Sequence, residues 1–461
     1  MSQLFKTFSN CLKIPELRSR IIFTAIVLVV ARLVAMTPVP GLNGAELAAY
    51  FQRLAEQNSA GNSVVALYSL FTGGAIERCA VGALGIMPYI SATIIIQLLS
   101  AVVPGLNKLV REEGGRAKII AYGRYLTVLL CLGQGFVMAL GWQNPEATFP
   151  GFTGKLVMIE NPWVYRIQTT IILTTGTLLL MWLGEQITER GVGNGVSLII
   201  MVGILARLPI AVKDLWFKFF PPAGMAVQGS NWAYGVFLLI LLVAVVAGVV
   251  MITQGQRKIP VQYAQRAVGR KVYSGGTSYI PLKVNYTGVM PVIFAQAILM
   301  LPGMLFQKLG QMYNLEIFLT LGTLFSYSSW FYFAAEALMI LFFSYFWVAT
   351  QFNELQVADD LKKYGGYIPG VRPGQATADA LHRTMNRITF AGGIFLVVIA
   401  LIPTLMTRFL KLDYSITQFF GGTSMLITVG VLLDTMRQME SFLLMRHYDG
   451  FLKKGRVRGR G

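Results

Sequence analysis

Charge is the scarcest property of this chain. Only 13% of its 461 residues are Asp, Glu, Lys or Arg, about half the share in a soluble domain. That shortage excludes a water-soluble globule. Histidine and cysteine are scarcer still. His382 and His447 stand far apart, and Cys11, Cys79 and Cys131 show no metal or redox spacing. Neither a metal centre nor a disulfide framework is expected. The sequence has no P-loop, nucleophile elbow, HExxH or paired-carboxylate arrangement, so no catalytic site and no cofactor is expected. Glu185 and Glu189 lie i, i+4 on one helix face beside Arg190, and the expected use there is structural charge pairing. GNG at 193–195 lacks a flanking strand or lysine and reads as a helix start.

What is present is apolar. Hydrophobic residues make up 55% of the chain, in pieces near the ~20 residues that cross a bilayer as a helix. The expected fold class is an all-α polytopic membrane protein with ten spans, at roughly 21–37, 80–102, 118–141, 167–187, 195–212, 232–253, 285–306, 330–351, 388–409 and 418–437. The N-terminus is polar and basic, lacks the short apolar core of a signal peptide, and is expected to be a cytoplasmic amphipathic lead-in. Lysine and arginine sort the connections. One side holds 28 and the other 9, with Arg32 and Arg207 left in or near spans. This bias predicts that both termini are cytoplasmic. It also gives the inner face a basic platform. Five spans precede residue 215 and five follow it. An odd number inverts the second set, which predicts two inverted halves, 1–215 and 216–461, with a hinge in 213–231.

The stretch Phe71–Leu99 organises the rest. It opens with glycines and the pair Glu77–Arg78, then runs uncharged through Gly82, Gly85 and Pro88. Irregular backbone at membrane depth survives only where protein or water satisfies it. The stretch therefore reads as a movable stopper, Phe71–Arg78, followed by a pore wall, Met87–Leu99. Arg32, Arg207 and Glu336 can each be drawn near an outer end, where snorkelling is the expected explanation. Thr93, Gln97, Gln134 and Gln296 are uncharged polar residues at depth, suited to interhelical hydrogen bonds or to a gate.

Several motifs share one resemblance: PELRSRIIFT at 15–24, LFTGGA at 70–75, ALGIMPYISATIIIQLL at 83–99, MWLGEQITERGVGNGVSLII at 181–200, GQRKIPVQYA at 255–264, PLKVNYTGVMPVIFA at 281–295, IPGVRPG at 368–374 and FGGTSMLI at 420–427. In order and spacing they resemble the SecY family, the central subunit of the bacterial Sec protein-conducting channel, from about residue 15 to 450. The resemblance implies a clamshell of ten helices in two pseudo-symmetric halves, in the bacterial inner membrane. It implies an aliphatic pore ring at Ile86, Ile90, Val196, Ile200, Ile293 and Ile427, where the family usually has Ile at the Val196 position. It implies a plug that includes Phe71, Thr72, Gly73, Gly74, Ala75, Ile76, Glu77 and Arg78. A lateral gate for signal sequences would involve Thr93, Gln97, Gln134 and Gln296. Two basic loops, 255–284 and 352–387, would dock the SecA motor and the ribosome, through Arg257, Lys258, Arg270, Lys271 and Arg372, with contact to ribosomal RNA. SecE and SecG would be partner subunits. Nascent polypeptides would be the cargo and membrane lipid the surroundings.

The chemistry agrees with the resemblance. An aliphatic constriction holds no ion and closes by dewetting. A secondary solute transporter, the main alternative, would need charges, hydroxyls and half-helix ends at its midplane. An intramembrane enzyme would need a second catalytic group beside the Glu185–Glu189 pair.

Overall fold

The computed structural model describes residues 14–56, 69, 72–112, 114–145, 152, 154–219, 232–263, 266–268, 271–273, 277–286, 288–313, 315–325, 329–410 and 423–454. The protein is mainly helical. Seven helices among the described residues are long and apolar enough to cross a membrane: 15–36, 117–143, 162–190, 195–213, 235–254, 330–363 and 375–402. An eighth apolar helix, Met87–Ser100, is shorter. Two further expected spans coincide with the helices Met290–Tyr313 and Thr423–Lys454.

The chain divides into two compact units. The first holds 1–230, 413–419 and 427–461; the second holds 231–412 and 420–426.

In the first unit, α1 (Pro15–Met36) starts on a proline and stops at Thr37. Pro38 follows, and a residue before proline is pushed out of the helical region, as the extended Thr37 backbone is. α2 (Gly44–Glu56) is a short helix ahead of the stopper. Then come α3 (Met87–Val102), α4 (Pro104–Arg111), α5 (Gly115–Gln143) and α6 (Pro162–Arg190). Asn161 caps α6, accepting from Trp163 N at 3.1 Å, with Pro162 in the first turn. α7 (Gly195–Leu205) and α8 (Leu208–Phe219) follow. α6 packs on α1, α5 and α7, and is the spine of this unit. The expected single span 195–212 is interrupted at Ala206–Arg207.

The second unit carries α9 (Trp232–Gln254) and then strand β1 (Gln256–Tyr263). Hairpin β2 (Arg266–Val268) and β3 (Lys271–Tyr273) and strand β4 (Thr277–Lys283) complete the first basic loop. α10 (Met290–Tyr313), α11 (Glu316–Leu324) and α12 (Trp330–Gln351) follow, then α13 (Glu354–Lys363), strand β5 (Gly366–Tyr367) and α14 (Gln375–Leu410). α15 (Thr423–Lys454) ends the described chain, with residues 427–454 in the first unit. β1 pairs antiparallel with β4, Gln256 opposite Lys283 through Gln262 opposite Thr277. It also pairs with β5, Gln262 opposite Tyr367. The two basic loops, 255–284 and 352–387, are therefore one platform. Val261 and Leu282 root it among Val348, Phe352, Leu361, Ile368, Leu381 and Met385.

Candidate functional site: the stopper and the cavity beneath it

The segment that follows the expected stopper is tied to the end of α1. Val39 N donates to Cys79 O at 2.9 Å, Val81 N to Thr37 O at 2.8 Å, and Gly82 N to Val34 O at 3.2 Å. Ala35, Ala75 and Ala80 pack as a small core. Gly176 of α6 lies against this segment. A Cβ there would stand 2.2 Å from the Val81 carbonyl oxygen, so only glycine lets the two backbones meet. Cys79 is fully buried and adopts φ +47°, a left-handed conformation unusual for a residue with a Cβ. From Thr72 to Ile86 the chain is a series of tight turns. The helix expected from residue 80 begins at Met87, behind Gly85 at φ +60° and with Pro88 in its first turn.

Of the expected stopper residues, Thr72, Gly74, Ala75 and Ile76 are buried, Gly73 and Glu77 half-buried and Arg78 exposed. Phe71 lies outside the described residues. Below the turns is a cavity of about 30 Å³, lined among others by Thr72, Gly82, Gly85, Ile86, Ile200 and Arg32. It has room for roughly two waters. Two expected ring residues, Ile86 and Ile200, thus line one cavity with Thr72 of the expected stopper. Ile90 and Ile427 are buried in the same unit, and Val196 is partly exposed. Ile293 is buried in the second unit.

The loop that carries α7 is held from two sides. Val192 N donates to Thr24 Oγ1 of α1 at 3.0 Å, and Gly193 N to Gln438 Oε1 of α15 at 2.9 Å. Asn194 caps α7 and accepts from Ser197 N at 3.2 Å, so GNG is a helix start. These bonds fix the height of Val196 and Ile200.

Three charged residues assigned to snorkelling do something else. Arg207, at the break between α7 and α8, ion-pairs with Glu77 and bonds Ser69 Oγ. Arg32 Nη1 donates to the Gly73 carbonyl at 3.3 Å. Glu336 of α12 is fully buried and accepts from Gln296 Nε2 at 3.1 Å. Desolvating a charge costs several kcal/mol unless it is paired, so burial demanded these partners. The sequence signal was available: Arg32 and Arg207 are the cations that charge sorting left over, and Glu77 is the acid inside the stopper. Glu185 is also paired, with Arg124 rather than the neighbouring Arg190, through two bonds at 3.0 and 2.8 Å.

The expected gate residues fall into both units. Thr93 and Gln97 are on α3 and Gln134 on α5, helices that pack together. Thr93 Oγ1 bonds its own helix at Tyr89 O. Gln97 Oε1 is buried with no hydrogen-bond partner among the described residues. Gln296 is on α10 in the second unit, paired with Glu336. Of the expected docking residues, Arg257 and Lys258 are exposed on β1, and Arg372 is exposed in the turn before α14. Lys271 is in β3. Arg270 lies outside the described residues.

A family model described as SecY matches residues 80–436. This chain belongs to the SecY family. The protein translocase subunit SecY of Thermotoga maritima is 41% identical, over 99% of this chain and 100% of that protein. Two solved structures share the fold. One is a SecY channel described by its plug domain, which stabilises the closed state and maintains a membrane seal. It superposes with TM-score 0.56 at 20% identity, over 92% of this chain and 91% of that one. The other is Sec61 in a canine ribosome–channel complex from the endoplasmic reticulum, with TM-score 0.53 at 19% identity and coverage of 92% and 91%. As a SecY-family member the chain is a multi-pass membrane protein and a protein-translocation channel subunit, not an enzyme. The solute-transporter alternative is not favoured by any of these relatives.

Proposed function

We propose that this chain passes unfolded secretory polypeptides across the bacterial inner membrane and releases apolar helices sideways into lipid. The observation that supports the detail is the cavity that Ile86 and Ile200 line together with Thr72, Gly82 and Gly85. In this reading the two halves, 1–215 and 216–461, each contribute five of ten spans. Their aliphatic residues Ile86, Ile90, Val196, Ile200, Ile293 and Ile427 close a ring. Such side chains bind neither ions nor sequence, so the ring seals by dewetting and yields to any passing chain. Residues 72–78, with Phe71, are the plug. Thr93, Gln97, Gln134 and Gln296 edge the lateral gate, where a signal sequence can leave because an apolar helix satisfies its own backbone in lipid.

The platform is cytoplasmic, as are both termini, in keeping with the excess of lysine and arginine on that side. Arg257, Lys258, Arg270, Lys271 and Arg372 dock the SecA motor and the ribosome, including ribosomal RNA. β1–β5 pairing supports a joint surface for the two loops. SecE and SecG complete the complex. The energy comes from SecA, the ribosome and the proton-motive force.

The test is a crosslink. One cysteine is placed at Ile86, with Cys11, Cys79 and Cys131 replaced, and another in a stalled precursor. A crosslink that requires a functional signal sequence is expected. With the precursor demonstrably engaged, its absence from Ile86, Ile200 and Ile293 alike would overturn the ring.

A further inference from the structure

The charges that hold the stopper are not accounted for by a dewetting seal. We propose that Arg207 and Arg32 are positioning residues of the stopper, clasping Ser69, Gly73 and Glu77 from the α7–α8 break and from α1 and keeping the stopper seated beside the cavity lined by Ile86 and Ile200. The proposal rests on the reading of residues 72–78 as the plug.

Four observations carry it. First, the apolar stretch 195–213 is long enough to be one span, yet it breaks at Ala206–Arg207, where the Arg207 guanidinium meets Glu77 and Ser69. Second, the three groups close on each other. Ser69 Oγ accepts from Arg207 and donates to Glu77 Oε1 at 2.6 Å. Gly74 N donates to Ser69 O at 2.8 Å, which folds the turn around the cluster. Third, Arg32 holds the same turn from α1, through the Gly73 carbonyl. Gly73 sits at φ +63°, and a Cβ there would stand 2.4 Å from Arg32 Nη1 and 2.9 Å from Gly203 Cα. The turn is seated with no room for a side chain.

Fourth, the grip is incomplete. Arg207 Nε is buried and donates to no acceptor among the described residues. An arginine bound to carboxylate by a full two-pronged fork is the stronger and more rigid arrangement. Here one prong is withheld. A clasp of this kind holds a turn at rest and lets go when an entering chain displaces it. The displaced stopper takes Glu77 with it, while Arg207 and Arg32 stay on their helices.

The experiment measures resting ion conductance of the full-length chain, in its native membrane assembly, across planar bilayers without substrate. Arg207→Met is expected to raise the resting leak about tenfold, the population shift that about 1.4 kcal/mol produces. Arg32→Met is expected to raise it by a smaller factor. The reversed pair, Glu77→Arg with Arg207→Glu, is expected to bring the leak back toward the parent level, which a folding defect cannot do. Deleting residues 72–78 is the reference for a missing stopper. If that deletion leaks and neither arginine variant does, the clasp is overturned and the plug reading stands. If the reversed pair leaks as much as Arg207→Met, pairing is not the cause and the clasp is overturned. If the deletion itself stays tight, the plug reading fails.

Discussion

Arg124–Glu185 and Arg207–Glu77 pair the same residue types within one compact unit, yet they differ in geometry and in what they join. Arg124 meets Glu185 through both prongs of its fork, with the Arg124 side chain 47% exposed and that of Glu185 18%. It ties α5 to α6, two long helices that pack along their length. Arg207 meets Glu77 at one carboxylate oxygen, with each side chain 26% exposed. It ties a helix break to a series of turns. The well-formed pair joins parts that side-chain packing already holds. The poorer one joins turns whose other anchors are mainly backbone bonds to the end of α1. Geometry alone would rank the first as the more consequential. The arginines differ in solvent access, since water screens the half-exposed Arg124 while the more buried Arg207 is left desolvated when its contact is broken. A well-made ion pair can therefore matter less than an incomplete one, depending on what each replaces.

Three substitutions sharpen or break this contrast. Each is read from the labelling rate of Cys79, which is fully buried, in a background with Cys11 and Cys131 replaced. Gly73→Val should have the largest effect. Its side chain would need a left-handed backbone and the space held by Arg32 and Gly203. Strain and overpacking of this kind cost about 3 kcal/mol together, so labelling should rise about a hundredfold. A rate within twofold of the parent would mean that the turn is not seated by that contact. Ser69→Ala removes one of two acceptors of Arg207 and the hydroxyl that Glu77 receives. A loss of about 1 kcal/mol corresponds to roughly fivefold faster labelling. No change would show that Glu77 alone holds the turn. Arg124→Met should have the smallest effect, about 0.5 kcal/mol on the thermal stability of the chain, with Cys79 labelling unchanged. Labelling that accelerates as much as in Ser69→Ala would abolish the distinction between the two pairs.

Much was legible in the sequence for identifiable reasons. Seven of the expected spans overlap helical stretches long and apolar enough to cross a membrane, one of them broken at Ala206–Arg207, because about twenty apolar residues at the rise of an α-helix fit one bilayer. Asn194 was legible as a helix start because a cap is a local contact. The irregular backbone ahead of Met87 was legible too, since Gly73, Gly74, Gly82 and Gly85 sit together beside Glu77. Its conformation was not. Periodicity put a helix from residue 80, but the backbone there bonds to Thr37 and Val34 of α1 instead, and those partners are more than forty residues away. The sheet was missed for the same reason, since β1 finds β5 only after a hundred residues.

Hydropathy and glycine placement were enough to specify a membrane protein of long apolar helices with glycine-jointed turns ahead of Met87. Those properties follow from hydropathy and backbone freedom, which each residue carries wherever it is placed. Only the tertiary structure decided the fate of the charges. Arg32, Arg207 and Glu336 read alike as cations or acids near span ends, and snorkelling would suit any of them. Burial made partners obligatory, and a partner is a matter of distance in space. Gly73, Ser69 and Glu77 reached the two arginines, Gln296 reached Glu336, and no interval along the chain encodes either meeting.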